Sequence, residues 1–282
     1  DEMLACRPLI QRLLDRVGIM VHPREFHHQL ILALPEHPFV RCAVDVAYWD
    51  LYARRAGKPL FRLLGYDNCG LARSNFSIGL ASAEEMQARA ARAADWPAFK
   101  IKLGRADDLE IVRAIRKVTS KPIVVDANCG WTLDEARRKI PVLAEHGVVE
   151  VEQPLPADQW DAMKLLRRES PITLTADESC TNMGSLEKCV GGFDKINAKL
   201  MKSGGITPVL DIFDRAEALG LKRMLGCMPE SRVGLSAICQ FASAVDSIEV
   251  DSVFFHVAEQ AVGVVIENGT ITLDDHALGT SA

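Results

Sequence analysis

Two spacings of hydrophobic residues divide the chain. Up to about residue 70, apolar residues recur three and four positions apart, as in LACRPLIQRLLDRV and FVRCAVDVAYWDLYARRAG. This spacing predicts amphipathic helices. The second segment closes with two arginines and Gly57, and both residue types are typical of a helix C-terminus. Residues 1–70 are therefore predicted to be helical throughout.

From about residue 71, short strand-like segments alternate with segments of helical spacing. The predicted strands are, in order, 75–80, 99–104, 122–128, 148–154, 172–179, 195–201, 222–228 and 247–252. Alternation of strand and helix predicts an α/β fold with a parallel sheet, and eight units predict a (β/α)8 barrel, also called a TIM barrel. A doubly wound open sheet is the alternative. Its dinucleotide-binding form would need a G-x-G-x-x-G motif after the first strand, which the sequence lacks there.

Charged and amide side chains stand at the ends of six of these predicted strands. Active sites of barrels lie at the carboxyl ends of the strands. These side chains are therefore predicted to meet at one mouth of the barrel and to form the functional site. They are Lys100, Lys102, Asp126, Asn128, Glu152, Gln153, Asp177, Glu178, Lys199, Lys202, Glu249 and Asp251.

Three of these side chains are carboxylates on adjacent strands. Asp126, Glu152 and Asp177 would repel one another unless they are protonated or bridged by a cation. Oxygen ligands without histidine or cysteine favour Mg²⁺ over zinc or copper. We therefore predict a magnesium site. The alternative is that the carboxylates form salt bridges to the neighbouring lysines.

Lysines stand on both sides of the carboxylates. Lys100 and Lys102 point to the same face of the second strand, and the sixth strand, with Lys199 and Lys202, lies on the opposite wall of an eight-stranded ring. A lysine near a divalent cation and a second lysine has a lowered pKa and can act as a base. Two such bases suit removal of a proton next to a carboxylate, with the enediolate held on Mg²⁺ and the proton returned from either face.

Composition narrows the range of partners. The chain has 282 residues, 48% of them hydrophobic and 25% charged, with a net charge of −5. This charge gives no general attraction to nucleic acid or to an anionic membrane, and no apolar run reaches the length of a membrane span. Eight scattered cysteines without a CxxC pair favour reduced thiols and a cytoplasmic location.

The motifs KIK, VDAN, VEQP, ADES and AKLMKSGG together resemble the enolase superfamily, specifically its muconate-lactonising subgroup. Within that subgroup, FVRCAVDVAYWDL, GCMPES and the E-x-D of strand eight are most similar to dipeptide epimerases of the L-Ala-D/L-Glu epimerase type. The resemblance implies an isomerase with a TIM barrel and an N-terminal α+β capping domain. It implies one Mg²⁺ per subunit, with Mn²⁺ able to replace it, and a homo-oligomer as the common assembly.

The resemblance also implies roles for single residues. Asp126, Glu152 and Asp177 would bind Mg²⁺, and Lys102 and Lys199 would be the acid/base catalysts, with Lys199 rather than Lys202 matching the second lysine. The remaining site residues would bind the dipeptide or N-acylated amino acid substrate or support the metal ligands. The substrate-binding set is Lys100, Glu249, Asp251, Cys227 and Ser77, and the supporting set is Asn128, Gln153 and Glu178.

Compared with that family, the chain divides into three parts. Residues 1–70 correspond to the helical part of the capping domain, residues 71–255 to the barrel, and residues 256–282 to a C-terminal segment with an Asn-Gly hairpin signal that returns to the cap. The chain begins directly in the capping helices, so the capping strands are expected to be absent. The eighth strand carries Glu249 and Asp251 where dipeptide epimerases usually have D-x-D, the pair that binds the substrate's α-ammonium group.

Other functions stay open at this stage. Within the superfamily, o-succinylbenzoate synthase, N-succinylamino acid racemase and muconate cycloisomerase are the alternatives, although the acidic pair on strand eight argues against the lyase and cycloisomerase. A Schiff-base aldolase would use one buried lysine without a metal. An inactive barrel is the third alternative.

Overall fold

The N-terminal region is helical, as predicted. A computed structural model of the chain describes residues 2–19, 21–66, 73–251 and 264–273. Prolines at the first turn begin the second and third helices, and Gly57 ends the third with a left-handed φ of 62°. The helices are α1 (Glu2–Val17), α2 (Pro23–Ala33), α3 (Pro38–Ala56) and α4 (Leu60–Leu63).

Eight parallel strands follow and pair in their sequence order. A parallel bridge between Ser74 and Ile248 joins the last strand to the first, and the amide of Val250 donates to Ser74 Oγ at 3.1 Å. Sequential order and this junction are those of a (β/α)8 barrel and not of a doubly wound sheet, so the barrel prediction is confirmed. The strands are β1 (Phe76–Ile78), β2 (Phe99–Lys102), β3 (Ile123–Asp126), β4 (Val148–Glu152), β5 (Thr173–Ala176), β6 (Lys195–Ala198), β7 (Lys222–Leu225) and β8 (Ser247–Ile248).

Four of the helices between the strands begin at a side-chain cap. Ser82, Thr132, Asn182 and Ser231 each accept a hydrogen bond from a backbone amide in the first turn that follows. The sixth connection contains two helices rather than one, because a single turn precedes the main helix. The helices are α5 (Ala83–Arg92), α6 (Asp108–Arg116), α7 (Leu133–Glu145), α8 (Trp160–Glu169), α9 (Met183–Cys189), α10 (Leu200–Ser203), α11 (Ile206–Ala218) and α12 (Arg232–Cys239).

Alternation along each strand sorts its side chains between two environments. On β2, Phe99 and Ile101 are fully buried in the hydrophobic core that the helices cover. Lys100, between them, contacts Glu249 beyond β8 and therefore points into the barrel. The same alternation places the polar residues of the other strands inside the ring, where they converge toward one mouth.

The N-terminal helices have a small core of their own and also contact the barrel. Phe26 stacks on Tyr48 with ring centroids 3.8 Å apart, and Leu13, Leu30 and Leu34 are buried in the same cluster. Helix α3 packs against α10 and α11. No helix within the described ranges has both the length and the apolar character that a membrane crossing requires.

A two-stranded antiparallel hairpin, β9 (Val264–Glu267) and β10 (Thr270–Leu273), follows the barrel. Its turn is the predicted Asn-Gly pair, and Asn268 and Gly269 both have positive φ, at 47° and 80°. Gly269 accepts a hydrogen bond from the amide of Ser74 at 2.7 Å, so the hairpin lies beside the start of β1. The predicted return of residues 256–282 to the cap stays a prediction, because 252–263 and 274–282 lie outside the described residues.

The loops after β2 and β3 approach each other through two glycines. Gly104 has a φ of 112°, and a Cβ there would lie 2.8 Å from the carbonyl oxygen of Ala127 and 3.5 Å from Gly130 Cα. Gly220 also has a positive φ, 72°, but a Cβ there would meet no atom within 4 Å. A comparison of Gly104 with Gly220 therefore separates the cost of the left-handed backbone from the cost of a clash between the loops.

We expect Gly104→Ala to lower the free energy of unfolding by about 3 kcal/mol, because it adds a clash to a strained backbone. Gly220→Ala should lower it by only about 1 kcal/mol, the cost of a left-handed residue with a side chain. Urea denaturation of both variants measures the difference. Equal losses would show that the close approach of the two loops contributes nothing.

Candidate active site

Three carboxylates form one cluster at the carboxyl end of the barrel. Asp126 and Glu152 are the last residues of β3 and β4 and stand opposite each other in register, and Asp177 follows β5 directly. All three are buried, and one oxygen of each lies within 4.8 Å of the others. Parallel strands ending at the same level thus place three acids from distant parts of the sequence side by side.

The electrostatics of the cluster fit a hard divalent cation. Burial raises the pKa of Glu152 to about 8, with Asp126 and Asp177 adding to the effect and Lys100 opposing it. Burial alone would raise the pKa of Asp177 as well, but Lys202 and Lys199 hold it well below its ordinary range. Carboxylate oxygens are the donors that Mg²⁺ prefers. A bound cation would offset the repulsion that these buried acids otherwise exert on one another.

The two predicted catalytic lysines approach this cluster from opposite walls. Lys102 Nζ on β2 lies 2.6 Å from Asp126 Oδ2 and 3.1 Å from Asn128 Oδ1. Lys199 Nζ, just after β6, lies 2.7 Å from Asp177 Oδ2. Lys202 Nζ also contacts Asp177, at 2.5 Å from Oδ1. The salt bridges that were the alternative to a metal site are therefore present, and they involve the same carboxylates that could hold a cation.

The predicted lowering of a lysine pKa depends on a bound divalent cation and stays a prediction, and the carboxylates by themselves act in the opposite direction at Lys100 and Lys199. Burial lowers the pKa of Lys100, but Glu152, Glu249 and Asp126 outweigh it and raise the pKa well above its ordinary value. The pKa of Lys199 is likewise raised, because Asp177 and Glu152 outweigh the effect of burial. Carboxylates, and not a neighbouring ammonium group, dominate the field at both amines. A cation on the same carboxylates would act in the opposite direction.

Lys100 is enclosed by acids inside the barrel. Its side chain is only 2% exposed, and Nζ lies 2.7 Å from Glu249 Oε2, 2.8 Å from Glu152 Oε2 and 3.3 Å from Asp126 Oδ2. Glu249 is buried as well, and its Oε1 has no hydrogen-bond partner among the described residues. The substrate-binding roles predicted for Lys100 and Glu249 stay predictions, since both side chains are engaged with each other.

The other predicted substrate-binding residues lie on the neighbouring strands. Cys227, after β7, places its Sγ 3.0 Å from Asp251 Oδ1, beyond β8. Ser77 stands opposite Lys100 in register, and its buried Oγ has no hydrogen-bond partner among the described residues. These three side chains continue the ring of polar groups from the last strands to the first, and their roles also stay predictions.

The predicted supporting residues link the ends of β3, β4 and β5. Gln153 Oε1 accepts from the amides of Asp177 and Ser179, both at 3.0 Å, and its Nε2 donates to Ser179 Oγ. Asn128 donates its backbone amide to Asp126 Oδ1 and its Nδ2 to Glu178 Oε1. Both Gln153 and Asn128 have left-handed backbone, with φ of 38° and 43°. Such strain in residues with side chains is typical of functional sites.

Sequence reasoning missed several polar residues in the barrel interior. Asn197 Nδ2 donates to Glu152 Oε1 at 2.9 Å, and one layer lower Lys195 Nζ lies 2.5 Å from Glu150 Oε2. The period of two would have found them, because Asn197 and Lys195 precede Lys199 by two and four positions. Glu230 lies in the loop after β7, within the motif GCMPES, where the period of two does not apply. Burial raises its pKa to about 7.

Comparison with known proteins decides the family. The sequence profile described as Enolase C-terminal domain-like matches residues 82–281. The chain is 35% identical over 271 residues to the L-Ala-D/L-amino acid epimerase of Flavobacterium johnsoniae, covering 94% of this chain and 80% of that protein. It is 41% identical over 234 residues to the enzyme of the same name from a Maribacter species, covering 83% and 69%.

A solved structure agrees with these matches. The dipeptide epimerase of Enterococcus faecalis V583, complexed with Mg and the dipeptide L-Leu-L-Tyr, superposes with a TM-score of 0.84 at 29% identity. The match covers 92% of this chain and 76% of that one. The chain belongs to the enolase C-terminal domain-like family. The predicted resemblance to the enolase superfamily is thereby confirmed, and the acidic cluster of this family member stands on the barrel that it shares with the relatives.

Loss of one acid from the cluster should remove the cation site of this family member. We expect Asp126→Asn, Glu152→Gln and Asp177→Asn each to abolish activity and to weaken Mg²⁺ binding by about 100-fold or more, because even residues supporting a metal ligand contribute 10–100-fold. Titration calorimetry with Mg²⁺ measures the affinity, and circular dichroism checks the fold. Asp161→Asn, at a fully exposed side chain on α8, is the control. Full activity in EDTA would contradict the prediction.

Proposed function

We propose that the chain is a Mg²⁺-dependent dipeptide epimerase, an isomerase that moves a proton at the α-carbon next to a carboxylate. The observation that carries this proposal is the placement of Lys102 and Lys199 on opposite sides of the acidic cluster. The relatives named L-Ala-D/L-amino acid epimerase and the epimerase structure with Mg and a dipeptide support the substrate class. A Schiff-base aldolase would leave three converging carboxylates without a purpose.

Asp126, Glu152 and Asp177 would hold the cation. When bound, Mg²⁺ would stabilise the negative charge that develops on the substrate carboxylate as the neighbouring proton leaves. The chain's own contribution is to fix these three oxygens before the substrate arrives. Asn197 and Gln153 do so through hydrogen bonds to Glu152 and to the backbone of Asp177.

The two lysines perform the proton transfers. Lys102 would take the proton from one face of the α-carbon while Lys199, on the opposite wall, donates one to the other face, and the reverse reaction exchanges these roles. Inversion of the centre therefore requires both amines. Asp126 and Asn128 orient the first, and Asp177 orients the second, so each lysine is held by the end of a neighbouring strand.

Recognition of the substrate's ammonium group would fall to Asp251. Glu249, the other acid of strand eight, is 4% exposed and already paired with Lys100 at 2.7 Å. Its charge is therefore neutralised within the protein. Asp251 contacts the thiol of Cys227, a weak donor that a substrate ammonium group could replace. Ser77 Oγ supplies a further polar group on the adjoining wall.

The ion pair between Lys100 and Glu249 also favours a second candidate function. If Glu249 offers no charge to the substrate, the site has one acid fewer for a free amino group, and an N-acylated amino acid becomes a suitable substrate. Racemisation of N-acylated amino acids uses the same lysines and metal ligands. The two candidates differ only in the charge of the group beside strand eight, and that difference can be measured directly.

We also propose that the enzyme works in the cytoplasm as a homo-oligomer, with a small-molecule substrate and without a nucleic-acid or membrane partner. The net charge of −5 supports the absence of a nucleic-acid or membrane partner, and the absence of a CxxC pair supports a reducing compartment. The homo-oligomer is what the family resemblance implies. Within the described residues seven cysteines carry free thiols, five of them on or beside the barrel, as a reducing compartment would maintain.

Single replacement of each catalytic lysine tests the mechanism. We expect Lys102→Ala and Lys199→Ala each to stop net epimerisation, because inversion needs both amines. The remaining lysine can still remove and return a proton on its own face, so each variant should exchange solvent deuterium into one epimer only. The two variants should select opposite epimers, and the residual exchange should be about 10²–10⁴-fold slower than in the unaltered enzyme. Mass spectrometry of dipeptides in D₂O with Mg²⁺ measures both quantities.

The control for this experiment is Lys202→Ala, which should retain most activity although Lys202 also contacts Asp177. Substantial epimerisation by either single variant would contradict the two-base mechanism. So would exchange of the same epimer by both variants, because this would place the two amines on one face.

Blocking the amino group tests recognition by strand eight. We expect N-acetylated dipeptides to react far more slowly than free ones. Asp251→Asn should lower kcat/KM for free dipeptides by about 10- to 100-fold, the value of a hydrogen bond to a charged group. Glu249→Gln should lower the rates of free and capped substrates alike, because it removes a partner of Lys100. Equal rates for capped and free dipeptides in the unaltered enzyme would favour the racemase of N-acylated amino acids.

A further inference from the structure

Asp45, on helix α3, is a fully buried carboxylate outside the site described above. Its Oδ2 accepts a hydrogen bond from the amide of Thr207 at 2.9 Å, and its Oδ1 accepts from Thr207 Oγ1 at 2.8 Å. His27 Nδ1 lies 2.7 Å from the same Oδ1 and is the donor, because a carboxylate only accepts. Trp49 Nε1 in turn donates to Thr207 Oγ1 at 2.9 Å. Asp45 and Trp49 of α3 thus hold Thr207 of the barrel, and His27 of α2 supports Asp45.

Thr207 is the second residue of α11, whose first amides have no acceptor of their own. The residue before that helix is Gly205, which has no side chain to cap it. Asp45 therefore supplies the N-terminal cap from another helix, and its charge is favourable at that helix end. A Cβ on Gly205 would lie 2.5 Å from Asp45 Oδ2, so glycine is what permits this approach.

The capped helix end is directly connected to the second catalytic lysine. Lys199 precedes the single turn α10, which ends at Gly204 with a left-handed φ of 95°. The turn is joined to β6 at one end and to Gly205 and α11 at the other. Among the described residues, the amide of Ser203 donates to the carbonyl of Lys199, and the amides of Gly204 and Gly205 donate to that of Leu200. Lys202, within the turn, also donates through Nζ to the carbonyl oxygen and Oδ1 of Asp177. A turn this short has little stability by itself, so its position depends on its attachments, and the C-terminal one leads directly to α11.

We propose that Asp45 is a positioning residue for Lys199. By capping α11, it fixes the C-terminal end of the turn α10, and through it the base that serves one face of the substrate. Lys102 stands on β2, on the opposite wall, and no described contact joins it to Asp45. The role in catalysis rests on the proposed function. The anchoring of the turn does not, because it follows from the hydrogen bonds alone.

This position requires an acid. All three groups that face the carboxylate are donors, namely the amide and hydroxyl of Thr207 and the ring nitrogen of His27. An amide side chain at residue 45 has one acceptor oxygen, so it can keep the bond from the Thr207 amide only if the Thr207 hydroxyl and His27 Nδ1 change from donors to acceptors. Asp45→Asn is therefore nearly isosteric but loses part of the cap.

The test compares the two faces of the substrate within one enzyme. The Lys102→Ala and Lys199→Ala variants first identify which epimer each lysine exchanges with solvent deuterium. In Asp45→Asn, exchange of the Lys199 epimer should fall by about 10- to 100-fold, since a displacement of about 1 Å of a catalytic group costs this much. Exchange of the Lys102 epimer should change by less than about twofold. A general loss of structure would lower both alike, and equal losses or none would overturn the proposal.

The matched control is Asp50→Asn on the same helix, where the acid pairs with Arg54 near the surface; both exchange rates should be retained. If Asp45→Asn does not fold, Thr207→Val replaces it, because it removes the hydroxyl that Asp45 accepts from. Thr207→Ser keeps that hydroxyl and should restore the Lys199 epimer's exchange. Failure of this pair to differ would overturn the proposal.

A second measurement is independent of the reaction. Amide hydrogen exchange, followed by mass spectrometry, should become at least about tenfold faster in Asp45→Asn for the peptide that covers residues 199–207, since the open state of this segment becomes more populated. Peptides from β2 and β3 should be unchanged. Unaltered protection of 199–207 would overturn the anchoring. If the unaltered enzyme exchanges neither epimer of any dipeptide, the proposed function fails, and amide exchange alone then decides whether Asp45 fixes the turn.

Discussion

Repulsion among three buried acids is the constraint on which the rest of the site depends. Asp126, Glu152 and Asp177 lie within 4.8 Å of one another in a region that excludes water, where like charges interact strongly. Lysine amines on two walls of the barrel offset this repulsion by forming ion pairs with the acids. They are Lys100 and Lys102 on one wall and Lys199 and Lys202 on the other. The same arrangement that makes the acids tolerable also places proton donors and acceptors on two sides of a cation site.

Precision at the site comes from side chains that cross between chain segments, more than from the strands themselves. Gln153 joins the ends of β4 and β5, and Asp108 joins the loops after β2 and β3 by accepting from the amide of Gly104 and from Trp131 Nε1. Asp45 does the same between α3 and α11. Each of these side chains is buried and accepts at least two hydrogen bonds, so each fixes an angle as well as a distance. The geometry of the site therefore depends on side chains that join the loops and helices after the strands.

The sequence alone was sufficient for the fold and for which side chains share a face. Lys100 and Lys102 are two apart on β2, and the period of a strand places both inside the ring, as observed. The sequence was insufficient to predict which charged side chains pair with one another. Glu249 follows β8 and pairs with Lys100 on β2, two strands away in the ring. No local pattern encodes a contact between residues 149 positions apart. The number of acids around Lys100 and Lys199 was missed for the same reason, and these acids raise the pKa of both amines.

The junction between the last strand and the first has a consequence for how the chain reaches this structure. β8 has only two residues, and among the described residues its contact with the start of β1 consists of one bridge to Ser74 and the hydrogen bond from Val250. That contact encloses nearly the whole barrel sequence in a single loop, with the largest entropy of closure of any strand pair in the ring. Neighbouring strands elsewhere are joined by much shorter connections and can assemble locally. We therefore expect closure of the ring to be the last step of folding, and the mouth that brings Glu249 to Lys100 exists only once it is complete.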